Sequence, residues 1–139
     1  MLLRSGEFRW QFPPIKVSFV IMVMFYNPDC SKCNEALELL NSAGCEVKVR
    51  NYIEDPPLVE EMRDLVKKLG CKPSDLVRKK EEVYQQKFAG TPMNDEGVLR
   101  MLCENPVLIE RPILITAEKA IIGRPPSMVL ELVQGQGQP

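Results

Sequence analysis

The sequence predicts an α/β fold: a βαβ unit, a block of helices after its second strand, and a closing ββα segment. Three observations predict it. A β-rich apolar run, "FVIMVMFY" at 19–26, leads through a stretch of helical periodicity to the alternating "CEVKVRNY" at 45–52. A helical pattern then holds from about 56 to 105. Two short β-rich runs, "RPILIT" and "AIIG", follow it and precede the amphipathic ending "PPSMVLELV".

Each element has its own signal. The first strand is apolar without interruption, the pattern of a strand buried on both faces, and Asn27-Pro28 ends it. In the first helix Cys33, Leu37, Leu40 and Ala43 share one face, opposite Glu35, Glu38 and Asn41, and Gly44 stands at the C-terminal cap. A second strand so soon afterwards implies a right-handed parallel crossover. "EDPP" closes that unit. "LVEEMRDLVKKLG" is amphipathic through Leu58, Met62, Leu65, Val66 and Leu69. "KPSDLVRKKEEVYQQKF" holds one or two further helices starting near Ser74 or Asp75, and "NDEGVLRMLCENP" another, capped by Asn94 before an acidic first turn. The polar turn "AEK" makes a hairpin of the two short strands, and proline is tolerated in the first turn of the last helix. With the helical block set aside, βαβ-ββα is a thioredoxin-like arrangement.

The domain is expected to span 19–133, with the helical insertion at about 56–105. Residues 1–18 read as an N-terminal extension outside the fold, with Met22 as an alternative start, and the polar, glycine-rich 134–139 as a disordered tail. The apolar run at 17–25 follows Arg4, Arg9 and Lys16 but lacks a small-residue cleavage site. It is also shorter than the roughly 20 apolar residues a membrane-spanning helix needs, so neither a signal peptide nor membrane attachment is expected.

With 139 residues, 45% of them hydrophobic and 27% charged, the chain suits one globular domain. A net charge of -1 gives no reason to expect direct nucleic-acid binding. The five cysteines (Cys30, Cys33, Cys45, Cys71, Cys103) are odd in number and unevenly spaced, which points to a reducing cytoplasm rather than a secreted disulfide framework. There is no histidine, so Cys–His and Ser–His catalysis and histidine-ligated zinc are excluded. A four-cysteine zinc site would need a second close pair, and no metal is expected.

The Cys30-x-x-Cys33 pair in "NPDCSKC" therefore reads as reactive thiol chemistry. Cys30 opens a helix at the mouth of a βαβ unit, where unpaired backbone N–H groups and the positive end of the helix dipole favour a thiolate. The backbone N–H groups of Ser31 and Lys32 could hold an oxyanion there. Cys33 has two readings: a resolving thiol for Cys30, or a member of the apolar face with Leu37 and Leu40. Cys45, Cys71 and Cys103 have no activating neighbours in sequence. Lys67, Lys68, Lys79 and Lys80 read as solvated charges.

Four separated stretches, "NPDCSKC", "LVRKKEEVYQQ", "NPVLIERPILI" and "IIGRPPSMVLEL", resemble the glutaredoxin-linked arsenate reductase family in order and spacing over residues 19–133. The resemblance implies a thioredoxin-like fold with a helical insertion, and Cys30 as the catalytic nucleophile. It implies an anion pocket of Arg78, Arg111 and Arg124, and a cis peptide bond before Pro112. Arginine forks suit a tetrahedral oxyanion such as arsenate. The implied reaction joins Cys30 to arsenic; glutathione, as co-substrate, attacks the adduct, glutaredoxin removes the glutathione, and arsenite leaves, with no bound cofactor. Two positions depart from the family: Tyr26 stands where histidine is common, and Asn34 where arginine is common. Cys33 is a third difference, typical of the related Spx-type regulators, which sense oxidation and bind RNA polymerase. Two alternatives thus stand beside arsenate reduction: a redox-sensing regulator using the Cys30–Cys33 pair, and a glutaredoxin-like dithiol–disulfide reductase.

Overall fold

The computed structural model describes residues 22–134. The extension expected at 1–18, the start of the first strand at 19–21 and the tail beyond Gln134 lie outside the described residues. Four strands, β1 (Met22–Tyr26), β2 (Val47–Asn51), β3 (Ile113–Ile115) and β4 (Ala120–Ile122), form one sheet in the order β2-β1-β3-β4. β1 runs parallel to β2 and antiparallel to β3, and β3 and β4 form an antiparallel hairpin. Helix α1 (Ser31–Ser42) makes the crossover, while α2 (Val59–Leu69), α3 (Glu82–Lys87) and α4 (Asp95–Glu104) lie between β2 and β3 in sequence. Helix α5 (Val129–Gln134) ends the described chain, entered through a 3-10 turn at Pro126–Met128. This is the thioredoxin-like α/β arrangement, with helices inserted after the second strand.

The uninterrupted apolar run of β1 has a structural cause. Met22 and Met24 belong to one core, with Ala36 and Leu40 of α1, Leu114, and Val129 and Leu132 of α5. Val23 and Phe25 belong to the other, with Met62 and Leu65 of α2, Leu99 and Leu102 of α4, Ile113 and Ile115. Alternate side chains on a strand point to opposite faces, so a central strand covered on both sides must be apolar throughout. Helix ends follow the local chemistry. Asn94 Oδ1 accepts from the Gly97 N–H at 2.8 Å, and Gly44, at φ 82, takes the left-handed conformation beyond α1 that other residues avoid.

Two charged residues, neither singled out from the sequence, are buried. Glu61 of α2 is fully buried and pairs with Arg50 of β2 (Nη1–Oε2 3.0 Å), which also donates to the Asp55 and Pro56 carbonyls. Glu61 Oε1 in addition accepts from the Leu58 N–H at 2.8 Å, and the Arg50 guanidinium lies 5.5 Å from the Phe25 ring centre. Removing one partner of such a pair leaves the other charge buried. Glu61→Ala is therefore expected to lower unfolding stability by about 3–5 kcal/mol, read from the urea midpoint. Lys68 is a correction to the expectation of a solvated charge. Its Nζ donates to the Thr116 carbonyl at 2.8 Å and pairs with Asp64 at 3.4 Å, which ties α2 to the end of β3.

Candidate active site

β1 and β2 are parallel, so the segments that follow them emerge at the same sheet edge. Cys30 follows β1 as the N-cap of α1, in extended conformation, its N–H held by the Asn27 carbonyl at 2.9 Å. Cys33 lies one turn into the helix and is fully buried, while Cys30 is 6% exposed. Both are free thiols. Burial pushes the Cys30 thiol up, but opposing contributions win and its pKa falls below the ordinary value. They are the Cys33 backbone N–H and the Cys33 thiol, both donating to the Cys30 sulfur, then the Arg111 charge and the Lys32 N–H. Cys33 behaves oppositely. Burial, and then the Cys30 charge, push it up to about 12 against an Asn27 N–H that donates to its sulfur. The protonated thiol of one thus favours the thiolate of the other. Iodoacetamide should accordingly alkylate Cys30 first, with a rate that rises with pH to a plateau reached below that of Cys45, Cys71 and Cys103, whose pKa values burial raises. Peptide mass mapping across a pH series reads this.

Of the two N–H groups expected to hold an oxyanion, that of Lys32 is turned onto the Cys30 sulfur, and Ser31 opens α1. Tyr26 and Asn34 are partners. The Tyr26 hydroxyl donates to Asn34 Oδ1, and Asn34 Nδ2 donates to the Pro28 carbonyl at 3.2 Å. Asn34 thus links the first turn of α1 to the end of β1 and the loop that carries Cys30.

Three arginines come from three places. Residues 76–78 pair with 108–110 through a bridge at Val77 and Ile109, with Arg78 N–H on the Leu108 carbonyl at 2.7 Å and Glu110 N–H on the Leu76 carbonyl at 2.8 Å. This short ladder brings Arg78 alongside the segment that leads to Arg111. Gly123 brings in Arg124. A side chain at Gly123 would meet Pro112 Cγ and Val129 Cγ1, each at 2.9 Å, so only glycine passes so close to Pro112. Arg124 Nε then donates to the Arg111 carbonyl at 3.0 Å. The Arg111–Pro112 peptide is cis, and so is Arg124–Pro125, the second not foreseen from the sequence.

The guanidinium groups are used differently. Arg78 pairs with Glu81 at 2.6 Å and donates to the Val107 carbonyl at 3.2 Å, and Arg124 lies 3.6 Å from Glu110. Arg111 Nε and Nη1 are shielded from solvent and have no hydrogen-bond partner among the described residues. Arg111 is also the cation whose charge lowers the pKa of both Cys30 and Cys33. A neighbouring cavity of ≈ 510 Å³ has Arg78, Lys79, Lys80 and Arg124 among its lining, with Glu81 and Glu110, but neither Cys30 nor Arg111. Of the three arginines, Arg111 is thus the one whose charge acts on the Cys30 sulfur. Arg78 and Arg124 reach the adjoining cavity with carboxylates as counter-ions.

Tyr52, which follows β2, was not singled out by sequence reasoning. It is fully buried, with its ring stacked on Phe25 at 5.5 Å. Its pKa is raised by burial first, then by Cys33, and is opposed by Arg111 and Arg78 with a smaller push from Cys30. The phenol therefore senses both sulfurs and two of the arginines, and it keeps its proton. Its place at the end of the strand parallel to β1 was the one available signal. Among the described residues no group of three or more cysteine or carboxylate side chains is placed to hold a metal ion.

Residues 25–132 match the ArsC family. An uncharacterized protein of Escherichia coli K12, YfgD, is 41% identical over 112 residues, covering 79% of this chain and 94% of its own length. An arsenate reductase of Neisseria meningitidis serogroup A is 36% identical over 104 residues, covering 73% and 89%. Among solved structures, an arsenate reductase from Vibrio cholerae superposes with a TM-score of 0.77 at 37% identity, covering 81% of this chain and 98% of its own. Family, fold and the order of the motifs agree: the chain belongs to the ArsC family.

Proposed function

We propose that this chain is a thiol-dependent oxidoreductase that reduces arsenate to arsenite through an adduct on Cys30, with glutathione and glutaredoxin as the source of electrons. One observation carries the reading. Arg111 keeps two shielded N–H donors without a partner among the described residues, and its charge acts on a sulfur held below the ordinary thiol pKa. Leaving buried donors unpaired costs about 1–3 kcal/mol each, and a tetrahedral oxyanion with its acceptor oxygens would satisfy them. Arsenate reductases among the relatives and structural neighbours support the same substrate.

The residues then divide the chemistry. Arg111 binds an arsenate oxygen and offsets the repulsion between the anion and the Cys30 thiolate. The sulfur attacks arsenic, and an arsenic oxygen leaves as water once it has been protonated. Arg78 and Arg124 exchange Glu81 and Glu110 for oxygens of the incoming anion, which makes those carboxylates a barrier against weakly charged solutes. No helix among the described residues is long and apolar enough to cross a membrane, and a reducing cytoplasm suits five free thiols. The Spx-type and plain dithiol readings would give the unpaired donors of Arg111 no ligand.

The test is arsenite formation with glutathione and a competent glutaredoxin, comparing wild type with Arg124→Ala. Turnover by wild type that falls about tenfold or more in Arg124→Ala is expected, as for loss of one donor to a bound anion. Disulfide reduction that ignores Arg124→Ala, together with no arsenite, would favour the dithiol reductase instead.

A further inference from the structure

Arsenate reduction through Cys30 does not account for Cys33, which is fully buried on the inner face of α1 beside it. Among the described residues the two apolar cores are built without Cys33, whereas Cys71 and Cys103 pack against one and Cys45 against the other. Cys33 instead makes polar contacts on both sides. It receives the Asn27 N–H on its own sulfur and donates its thiol to Cys30. It is fully enclosed, while Cys30 has a small opening to solvent. An anion reaches Cys30 from outside, and Cys33 meets it from within. Attack on sulfur needs the nucleophile opposite the leaving group, and a thiol on the enclosed side of Cys30 is where that nucleophile has to stand.

We propose that Cys33 resolves the Cys30–arsenic adduct from inside the protein, forming a Cys30–Cys33 disulfide and releasing arsenite, so that external thiols act on the disulfide and not on the adduct. This rests on the arsenate-reduction reading and assigns the step that supplies the electrons. The chemistry balances. In the first step the Cys30 thiol and dihydrogen arsenate give the S–As bond and water. In the second, Cys33 sulfur bonds to Cys30 sulfur, the S–As bond breaks, and its electron pair stays with arsenic. The two thiols are thereby oxidised to one disulfide, arsenic is reduced by two electrons, and the Cys33 proton passes to an arsenite oxygen. The disulfide is then reduced by two equivalents of a small external thiol or by a dithiol protein, which attack Cys30, the less enclosed residue of the pair.

The order of events is built into the pair. While Cys30 is a thiolate, its charge and the hydrogen bond it accepts are two of the causes that keep Cys33 protonated. Bonding to arsenic neutralises the Cys30 sulfur and removes both. The Asn27 N–H and Arg111 remain and favour the Cys33 thiolate, so Cys33 becomes a nucleophile after the adduct has formed. Burial then becomes useful, because a thiol closed to solvent is not diverted to other electrophiles.

The experiment is a single turnover of the reduced full chain, freed of small thiols under anaerobic conditions and mixed with arsenate. The proposal expects one arsenite per chain, the loss of two titratable thiols, and a Cys30–Cys33 disulfide in the peptide map. Cys33→Ser and Cys33→Ala should form the adduct but release no arsenite until glutathione is added. Their turnover with glutathione and glutaredoxin should then fall at least about tenfold, since an enclosed thiol held against its target outcompetes a millimolar external one. Using both variants separates loss of the thiol from any effect of a buried hydroxyl. Wild type that needs glutathione to release arsenite, with both variants turning over at its rate, overturns the proposal and leaves arsenate reduction standing. Wild type that yields no arsenite even with glutathione and glutaredoxin overturns both.

Discussion

Cys30→Ser is expected to abolish arsenite formation, a loss on the order of 10⁴-fold or more, while the fold is retained. The size of the effect follows from what sulfur does at this position. The Cys33 and Lys32 N–H groups, the Cys33 thiol and Arg111 together hold the Cys30 thiol below its ordinary pKa, even though burial works against them. A serine hydroxyl in the same surroundings keeps its proton and is a poor nucleophile. The deeper loss is of redox chemistry. An oxygen–arsenic ester returns arsenate on hydrolysis, because oxygen cannot accept attack by a second thiol and hand two electrons to arsenic. Assay of arsenite with glutathione and glutaredoxin present, alongside far-ultraviolet circular dichroism, separates lost chemistry from lost structure.

Arg111→Ala is expected to lower kcat/KM for arsenate by about 10²–10³, the effect of removing a donor aimed at a charged oxygen in a shielded site. Thermal stability should hold or rise. Arg111 Nε and Nη1 have no partner among the described residues, so the substitution orphans no group bonded to them there and removes two unsatisfied donors. Loss of activity without loss of stability would mark a residue held for its ligand. The substitution also removes one of the influences that lower the Cys30 pKa, so the onset of Cys30 alkylation should move to higher pH. Arg111→Lys keeps the charge but not the planar fork and should recover part of the rate.

Much of the fold was legible because its signals are local. The apolar run of β1, the repeat of Cys33, Leu37 and Leu40, Gly44 beyond α1, and the Asn94 cap each state their conformation within a few residues. Cys30 was legible for the same reason, since a cysteine opening a helix carries its own activation. What the sequence hid is pairing across distance. Arg50 and Glu61, charged residues that carry no local sign of burial, are buried against each other. Lys68 looked solvated, but it reaches the Thr116 carbonyl on the far side of the helical insertion. Tyr52 looked like one more β-favouring aromatic, and only the parallel register of β1 and β2 brings it to the sulfurs. The carboxylates opposite Arg78 and Arg124 were likewise invisible, because charge partners are chosen in three dimensions.

Protection of Cys30 by phosphate probes the heart of this account: two guanidinium donors of Arg111, without a partner among the described residues, waiting for an oxyanion to settle over a sulfur nucleophile. Iodoacetamide labelling at fixed ionic strength should slow in a saturable way as phosphate rises, and the phosphate needed should increase at least about tenfold in Arg111→Ala. A wild-type labelling rate that stays constant at every phosphate concentration would contradict it.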